Sequence, residues 1–295
     1  MALEERGFEA LVCSVLRWTP QDHLVLDARE LTSADAFGAV GLLAVGRWLG
    51  RGGRRPTLQL SPRASGFAHL AGLGFVEAAS EVFKLSWAEP PPKRAPQAVA
   101  LIPATPISSA DDAWGVVDRL SEVDEIRLHQ ALGYDAADAA DLRRIVAELL
   151  DNLVQHAGSP GWVCAEVYPR LRRLDRAGAV IAVMDLGTGF RESLVRGHKG
   201  GPNPEVTDSW ALQATLLHGV RHQEDPERGR GLAEVNERVR RLGGVISIRS
   251  GTARIAADPE WDEPPAVQSG LPPFPGAQVL VVLPARIAQP QSSTE

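Results

Sequence analysis

Residues 142–158 read LRRIVAELLDNLVQHAG, and this stretch decides the fold. Its apolar residues recur at steps of three and four, which predicts an amphipathic helix over 136–157. The apolar stripe consists of Leu142, Ile145, Val146, Leu149 and Leu153. Glu148 and Asn152 are four residues apart, so they lie on one face at the edge of that stripe. Side chains in such a position can face a cleft rather than bulk water.

Glu148 and Asn152 are residue types that suit phosphate chemistry. An asparagine oxygen can ligate Mg²⁺, which prefers oxygen ligands and usually keeps several waters and phosphate oxygens. A glutamate one turn earlier could orient or deprotonate a water or hydroxyl near a terminal phosphate. Taken alone, the pair is equally typical of an ordinary helix boundary.

A second motif follows an apolar run, in AVIAVMDLGTGF at residues 179–190. The run predicts a strand that ends at Asp185, and Gly187 and Gly189 come directly after it. The carboxylate can accept a hydrogen bond from an adenine amino group, and the glycines allow the backbone to approach the ring closely. By itself this pattern is also typical of a simple turn at the end of a strand.

A third motif is GRGLAEVNERVRRLGG at residues 229–244. Gly229 and Gly231 precede a predicted helix over 232–242 with an apolar stripe. A glycine-rich turn at a helix N-terminus presents free amides and the positive end of the helix dipole, which suits phosphates. A lone Gly-X-Gly also occurs in many turns without a ligand.

Together and in this order, the three motifs resemble the gyrase, heat-shock chaperone, histidine-kinase and mismatch-repair (GHKL, or Bergerat-fold) ATPases over residues 103–286. The resemblance implies ATP and Mg²⁺ as ligands, with Asn152 as the metal ligand and Glu148 as the general base. It implies that Asp185 contacts adenine, and that Gly187 and Gly189 form the first glycine box. The second glycine box comprises Gly229, Gly231 and Leu232. In the closing GAQVLVVLP, Ala277 stands where the family commonly has threonine, which weakens one contact on the adenine side.

The resemblance also implies the fold class and a lid. The fold is an α/β sandwich, with a mixed, mostly antiparallel sheet and helices on one face, and nucleotide between the helices. The lid is expected over 190–228. Three basic residues in or just after this region could reach phosphates or remain surface charges: Lys199, Arg228 and Arg230. Its histidines are expected at the lid surface and not as a metal set: His198, His218 and His222.

The sequence EPPPKRAPQ at 89–97 divides the chain, because consecutive prolines favour an extended, semi-rigid linker. We expect a regulatory unit over 1–88, a linker over 89–103, the ATP-binding unit over 104–287 and a flexible tail over 288–295. Strands are predicted at 8–18, 23–26, 56–60, 82–87, 161–167, 179–184, 245–249 and 278–283. Further helices are predicted at 35–50, 63–71, 110–132 and 209–219.

The first unit resembles a STAS (anti-sigma-factor antagonist-like) domain, an α/β layer of alternating strands and helices. The resemblance is carried by HLVLDARELTSADAFGAVGLLAVGRWLGRGGRRPTLQLSPRASGFAHLAGLGF at 23–75. In phosphorylatable members a serine opens the first helix within Asp-Ser-Ser/Thr-Gly. Here Ala36 follows Asp35, and alanine has no hydroxyl to phosphorylate. Thr32 and Ser33 lie upstream and are expected to act as turn or capping hydroxyls.

The charge and composition of the chain argue against several classes of function and location. A formal net charge of -6 argues against a nucleic-acid or anionic-membrane surface over the whole molecule. No apolar run is long enough for a membrane helix and no signal peptide is visible, so we expect a cytoplasmic protein. Cys13 and Cys164 lie far apart and are expected to be two buried thiols.

The leading functional hypothesis is an ATP-binding signalling protein resembling the bacterial anti-sigma serine/threonine kinases. Its partner would be a STAS-domain protein or a sigma-type regulator. Two alternatives remain: an ATP-gated switch that binds protein without phosphoryl transfer, and a simple ATPase. His129 lacks the flanking acceptor pattern of a histidine kinase and is expected on a lead-in helix. The sequence leaves a homodimer open.

Overall fold

The computed structural model describes residues 2–17, 24–90, 100–122, 125–156, 158–171, 175–196, 206–216, 231–256 and 267–286. The strands are β1 (Ala2–Leu3), β2 (Val25–Asp27), β3 (Ser33–Ala34), β4 (Thr57–Leu60), β5 (Lys84–Trp87), β6 (Ala100–Ile107), β7 (Gly161–Leu171), β8 (Arg176–Asp185), β9 (Val245–Ala256) and β10 (Val267–Pro284). The helices are α1 (Glu5–Val15), α2 (Ala36–Leu49), α3 (Phe67–Gly72), α4 (Phe75–Val82), α5 (Ala110–Glu122), α6 (Glu125–Leu132), α7 (Ala136–His156), α8 (Gly189–Arg196), α9 (Asp208–Leu216) and α10 (Gly231–Arg241). We call residues 2–90 the first unit and residues 100–286 the second unit.

The first unit is an α/β layer built on three parallel strands in the order β2-β4-β5. A short parallel pair joins β1 to β3. Helix α2 is apolar and almost wholly buried, and the Asp35 carboxylate caps it by accepting a hydrogen bond from the Gly38 amide at 2.7 Å. The predicted helix over 35–50 is thus confirmed.

The predicted strand over 8–18 is wrong, because residues 5–15 form α1. Phe8, Leu11, Val12 and Val15 are the buried residues of this segment, and their spacing is that of one helix face. Cys13 lies between them in sequence and points outward, so it is exposed, whereas Cys164 is buried as expected. Helix α4 is a further element that the sequence did not predict.

The second unit contains a five-stranded sheet in the order β6-β7-β8-β10-β9, and all neighbouring strands pair antiparallel. It confirms the fold class, an α/β sandwich with a largely antiparallel sheet. Strand β6 begins at Ala100, so the linker predicted over 89–103 overlaps this strand. The helix predicted over 110–132 is two helices, α5 and α6, and His129 lies on α6 as expected. Residues 91–99 and 287–295 lie outside the described residues.

Both faces of this sheet are covered. Alternate residues of β7 and β8 face α5, α6, α7 and α10 on one side, among them Val163, Ala165, Ile181 and Val183. The intervening residues face the first unit and share one core with its helices: Trp162, Cys164, Val180, Ala182 and Met184. Strands buried on both faces are largely apolar, because no alternate position is left for water.

One buried carboxylate links the two units directly. Glu166 of β7 is 0% exposed, accepts a hydrogen bond from the Ala36 amide at 2.6 Å and pairs with His69 Nε2 at 2.6 Å. The N-terminus of α2 is therefore satisfied by Asp35 from its own unit and by Glu166 from the sheet.

Candidate nucleotide-binding site

Helix α7 presents Glu148 and Asn152 at the boundary between core and surface. All five residues of the predicted apolar stripe are buried, and Glu148 and Asn152 are half-buried. Asn152 Nδ2 donates to the Glu148 carbonyl oxygen at 2.8 Å. This bond fixes the side-chain amide and leaves its Oδ1 free to accept or to coordinate.

The N-terminus of α10 lies against this pair. A Cβ added at Gly231 would sit 2.8 Å from Glu148 Oε2 and 3.4 Å from Asn152 Nδ2. Only glycine lets the first turn of α10 come so close to both side chains. Leu232 is 4% exposed and packs in the core, which leaves its backbone as the part able to contact a ligand. Gly229 and Arg230 lie outside the described residues.

The surroundings of Glu148 raise the pKa of its carboxyl group. Desolvation by burial raises the pKa of Glu148, and the nearby carboxylates of Glu234 and Asp151 raise it further. Arg238 and Arg144 oppose this shift. A carboxylate with a raised pKa is a stronger base and is better suited to accept a proton.

Asp185 ends strand β8, as the sequence predicted, and is 8% exposed. Its Oδ1 accepts a hydrogen bond from the Gly187 amide at 2.7 Å, and its Oδ2 accepts one from the Ala277 amide at 3.2 Å. Burial raises the pKa of Asp185 to about 6, and the two amides oppose that rise. Ala277 has no hydroxyl, but its backbone still holds the carboxylate.

Two residues that the sequence did not single out support this end of the site. Gly276 has φ +74, and a Cβ there would lie 2.5 Å from Asp185 Oδ1. Ser250 Oγ donates to the Gly276 carbonyl at 2.8 Å and accepts from the Phe190 amide at 3.2 Å. Gly189, with φ +71, also packs against Ser250. A glycine before the last strand was the only sequence signal for this arrangement.

Helix α7 and Asp185 meet at the same end of the sheet. Gly161 of β7 pairs in register with Asp185. A Cβ at Gly161 would lie 2.6 Å from Leu153 Cδ1, so α7 approaches these strand ends closely. Asn152 precedes Leu153, and the two halves of the predicted site therefore lie on one side of the molecule.

The lid predicted over 190–228 contains two helices in its described part, α8 and α9. Asp208 begins α9, and its Oδ2 accepts from both the amide and the hydroxyl of Thr252 at 2.8 Å. The sequence did not identify this anchor. The predicted basic and histidine residues of the lid lie outside the described residues: His198, Lys199, His218, His222 and Arg228.

The sequence of this unit also matches a known family. Residues 137–285 fit the profile of the histidine kinase-, DNA gyrase B- and HSP90-like ATPases. The chain belongs to this ATPase family. A search of curated proteins gave no match. Membership of this family supports ATP binding, and the matched range contains every residue of the candidate site from Glu148 to Ala277.

Among the described residues, none of the helices combines the length and apolar character that crossing a membrane requires.

Proposed function

We propose that this protein binds Mg-ATP between α7, α10 and the end of β8, and transfers a phosphoryl group to a serine or threonine on a separate STAS-type partner. The observation that carries the proposal is the contact of Gly231 at the start of α10 with Glu148 and Asn152 of α7. A helix N-terminus beside a carboxylate and a free amide oxygen brings together a phosphate-binding group, a base and a metal ligand.

The residues present fit Mg-ATP. Asn152 Oδ1, left free by the bond from Nδ2 to Glu148, would hold Mg²⁺, whose charge neutralises phosphate oxygens. The amides at the start of α10 would face the phosphates, where Gly231 leaves room for them. Asp185 and the glycines after it, Gly187 and Gly189, would contact adenine. Gly229 is proposed for the phosphates from sequence alone.

Glu148 would act on the acceptor hydroxyl. Its carboxylate would accept the proton as the hydroxyl oxygen attacks the γ-phosphorus, while the bond from that phosphorus to the β–γ bridging oxygen breaks and ADP leaves. The raised pKa of Glu148 suits that role. Positioning and electrostatics dominate phosphoryl transfer, so a small displacement of this side chain is expected to matter.

The acceptor would belong to another protein. Ala36 stands at the acceptor position of the STAS-like unit, has no hydroxyl, is 0% exposed and donates its amide to Glu166. The first unit is therefore proposed as a regulatory or docking module that has lost the acceptor. The partner would be a STAS-domain protein or a sigma-type regulator.

The test uses labelled ATP, Mg²⁺ and a STAS-type protein that carries a serine at the start of its helix. Glu148→Gln should keep nucleotide binding and reduce phosphoryl transfer at least ~100-fold, the usual contribution of a general base. Asn152→Ala should weaken the dependence of binding on Mg²⁺. Gln155→Ala is the matched control, since Gln155 is an exposed residue of the same helix. Transfer unaffected by Glu148→Gln and Asn152→Ala would refute the kinase proposal.

The missing acceptor at Ala36 also favours a second candidate, an ATP-gated switch that binds a protein partner without phosphoryl transfer. Tight nucleotide binding with neither transfer nor phosphate release would support the switch. Multiple-turnover phosphate release without any partner would instead support a simple ATPase.

A further inference from the structure

The hairpin of β9 and β10 is interrupted beside the candidate site. Its register shifts twice, between Ser269 and Phe274 and between Phe274 and Ala277 on β10. Extra residues on β10, with sequence LPPFPGA at 271–277, bulge out of the ladder, and prolines cannot donate to it. We call residues 271–277 the hairpin bulge.

One part of the hairpin bulge is anchored in the first unit. Phe274 is 2% exposed and belongs to the core of the first unit. Its ring meets Phe8 of α1 edge-on at 5.4 Å between centroids and lies 5.6 Å from Trp48 of α2. Buried aromatic contacts of this kind are among the stronger packing interactions.

A buried ion pair reinforces that anchor. Arg249 of β9 is 2% exposed, and its Nε lies 2.6 Å from Glu9 Oε1 of α1. The same guanidinium donates to Gln278 Oε1 at 3.1 Å and to the Pro272 carbonyl. Glu9 therefore holds the cation that fixes the hairpin bulge, and removing Glu9 would leave a buried charge without its partner.

The other end of the hairpin bulge reaches the candidate site. Gly276 accepts from Ser250, and Ala277 donates to Asp185. Ala277 follows Phe274 by only three residues. A movement of Phe274 in the core of the first unit should therefore also move the Ala277 amide that contacts Asp185.

We propose that the first unit positions Asp185 through the hairpin bulge, with Glu9 as a positioning residue, so that docking of the first unit and recognition of the nucleotide base are coupled. This inference rests on the proposed nucleotide site. Because coupling between two sites is reciprocal, nucleotide binding should also strengthen the docking of α1.

The test compares Glu9→Gln with Glu5→Gln. Glu5 lies one turn earlier on α1 and pairs with Arg254 Nε at 2.8 Å, and the two glutamates are similarly exposed, at 22% and 23%. Both variants lose an ion pair between α1 and β9, but Glu5 is not bonded to the guanidinium that holds the hairpin bulge. Affinities for ATP and GTP with Mg²⁺ are measured by calorimetry, together with thermal unfolding.

Glu9→Gln should weaken ATP binding about tenfold, a typical size for coupling between sites, and should reduce the preference for ATP over GTP. Glu5→Gln should leave both quantities at the wild-type value although it lowers thermal stability to a similar degree. Arg249→Gln should weaken ATP binding at least as much as Glu9→Gln, since it also removes the bonds to Gln278 and to the Pro272 carbonyl. Equal affinities and equal preference in the two single variants would overturn the proposal.

Hydrogen exchange at the Ala277 amide gives a readout that needs no nucleotide. Glu9→Gln should accelerate its exchange and Glu5→Gln should not. If the wild-type protein bound no ATP, the proposed function would fail, and this exchange rate alone would decide whether Glu9 positions the Asp185 contact. Unchanged exchange at Ala277 in Glu9→Gln would then reject it.

Discussion

Gly231→Ala separates the function of the site from the stability of the fold. The added methyl group would lie 2.8 Å from Glu148 Oε2, 3.4 Å from Asn152 Nδ2 and 3.9 Å from Asn152 Oδ1. Ordinary van der Waals contact to a Cβ begins at 3.4 Å, so Glu148 Oε2 must retreat by roughly 0.6 Å. The end of a flexible side chain can make this movement without disturbing the backbone.

Gly231→Ala should reduce function strongly while it leaves the stability of the fold nearly unchanged. Misplacing a reacting group by 1 Å costs about 100-fold, so a displacement of this size should lower turnover or phosphoryl transfer by roughly 10- to 100-fold. The methyl would also occupy space proposed for the phosphates. Alanine is a better helix former than glycine, by at most ~1 kcal/mol in a helix interior and by less at the first residue of a helix, which should partly offset the strain at Glu148. We expect the free energy of unfolding to change by less than about 1 kcal/mol.

The assay pairs Mg-ATP calorimetry and phosphate-fate measurements with chemical unfolding. Gly115→Ala is the matched control, because Gly115 lies within helix α5 and a Cβ there would meet only Arg119 Nη1, at 3.7 Å. It should raise stability by up to ~1 kcal/mol and leave nucleotide binding unchanged. Wild-type binding and turnover in Gly231→Ala would refute the reasoning. A loss of function together with a loss of stability large enough to explain it would also refute it.

Three further predictions concern aspartates. Burial raises the pKa of Asp185 to about 6, so the carboxylate becomes protonated as pH drops from 7 to 5. ATP affinity, measured by calorimetry, should fall by about tenfold over this range. Asp185→Asn should bind ATP weakly and without this pH dependence. Burial raises the pKa of Asp35 to about 7, so the native state binds the extra proton and stability falls as pH rises from 4 to 7. Asp35→Asn, which keeps a helix cap, should therefore gain up to about 4 kcal/mol over wild type at pH 8 and nothing at pH 4, as measured by urea unfolding. Asp208→Ala removes both bonds to Thr252 and should destabilise α9 by about 1–2 kcal/mol, seen as faster hydrogen exchange in that helix while α5 is unchanged.

Periodicity predicted the elements whose pattern is local. The stripe of α7 is buried as expected, and strand β8 ends at Asp185. Helix α10 spans Gly231–Arg241, where the sequence predicts a helix over 232–242. In each case residues close in the chain specify both the element and the face it buries. The placement of Glu148 and Asn152 on one face follows from the helix alone.

Elements with mixed signals were harder to predict. Residues 8–18 are rich in apolar residues, and the sequence predicts a strand there. The segment instead forms α1, whose buried face packs against the hairpin bulge and α2. Strand β6 begins within the predicted linker. The prolines predict only an extended backbone, whereas the backbone from Ala100 onward also pairs with β7.

The sequence by itself determined the order of the three motifs, the helix that carries Glu148 and Asn152, and the strand that delivers Asp185. Only the tertiary structure decided that Gly231 lies against Glu148 and that the first unit covers the second face of the sheet. It also decided that Ser250 and Gly276 support Asp185. The physical reason is distance along the chain. Glu9 and Arg249 are 240 residues apart, and no local sequence pattern indicates that these two side chains form an ion pair.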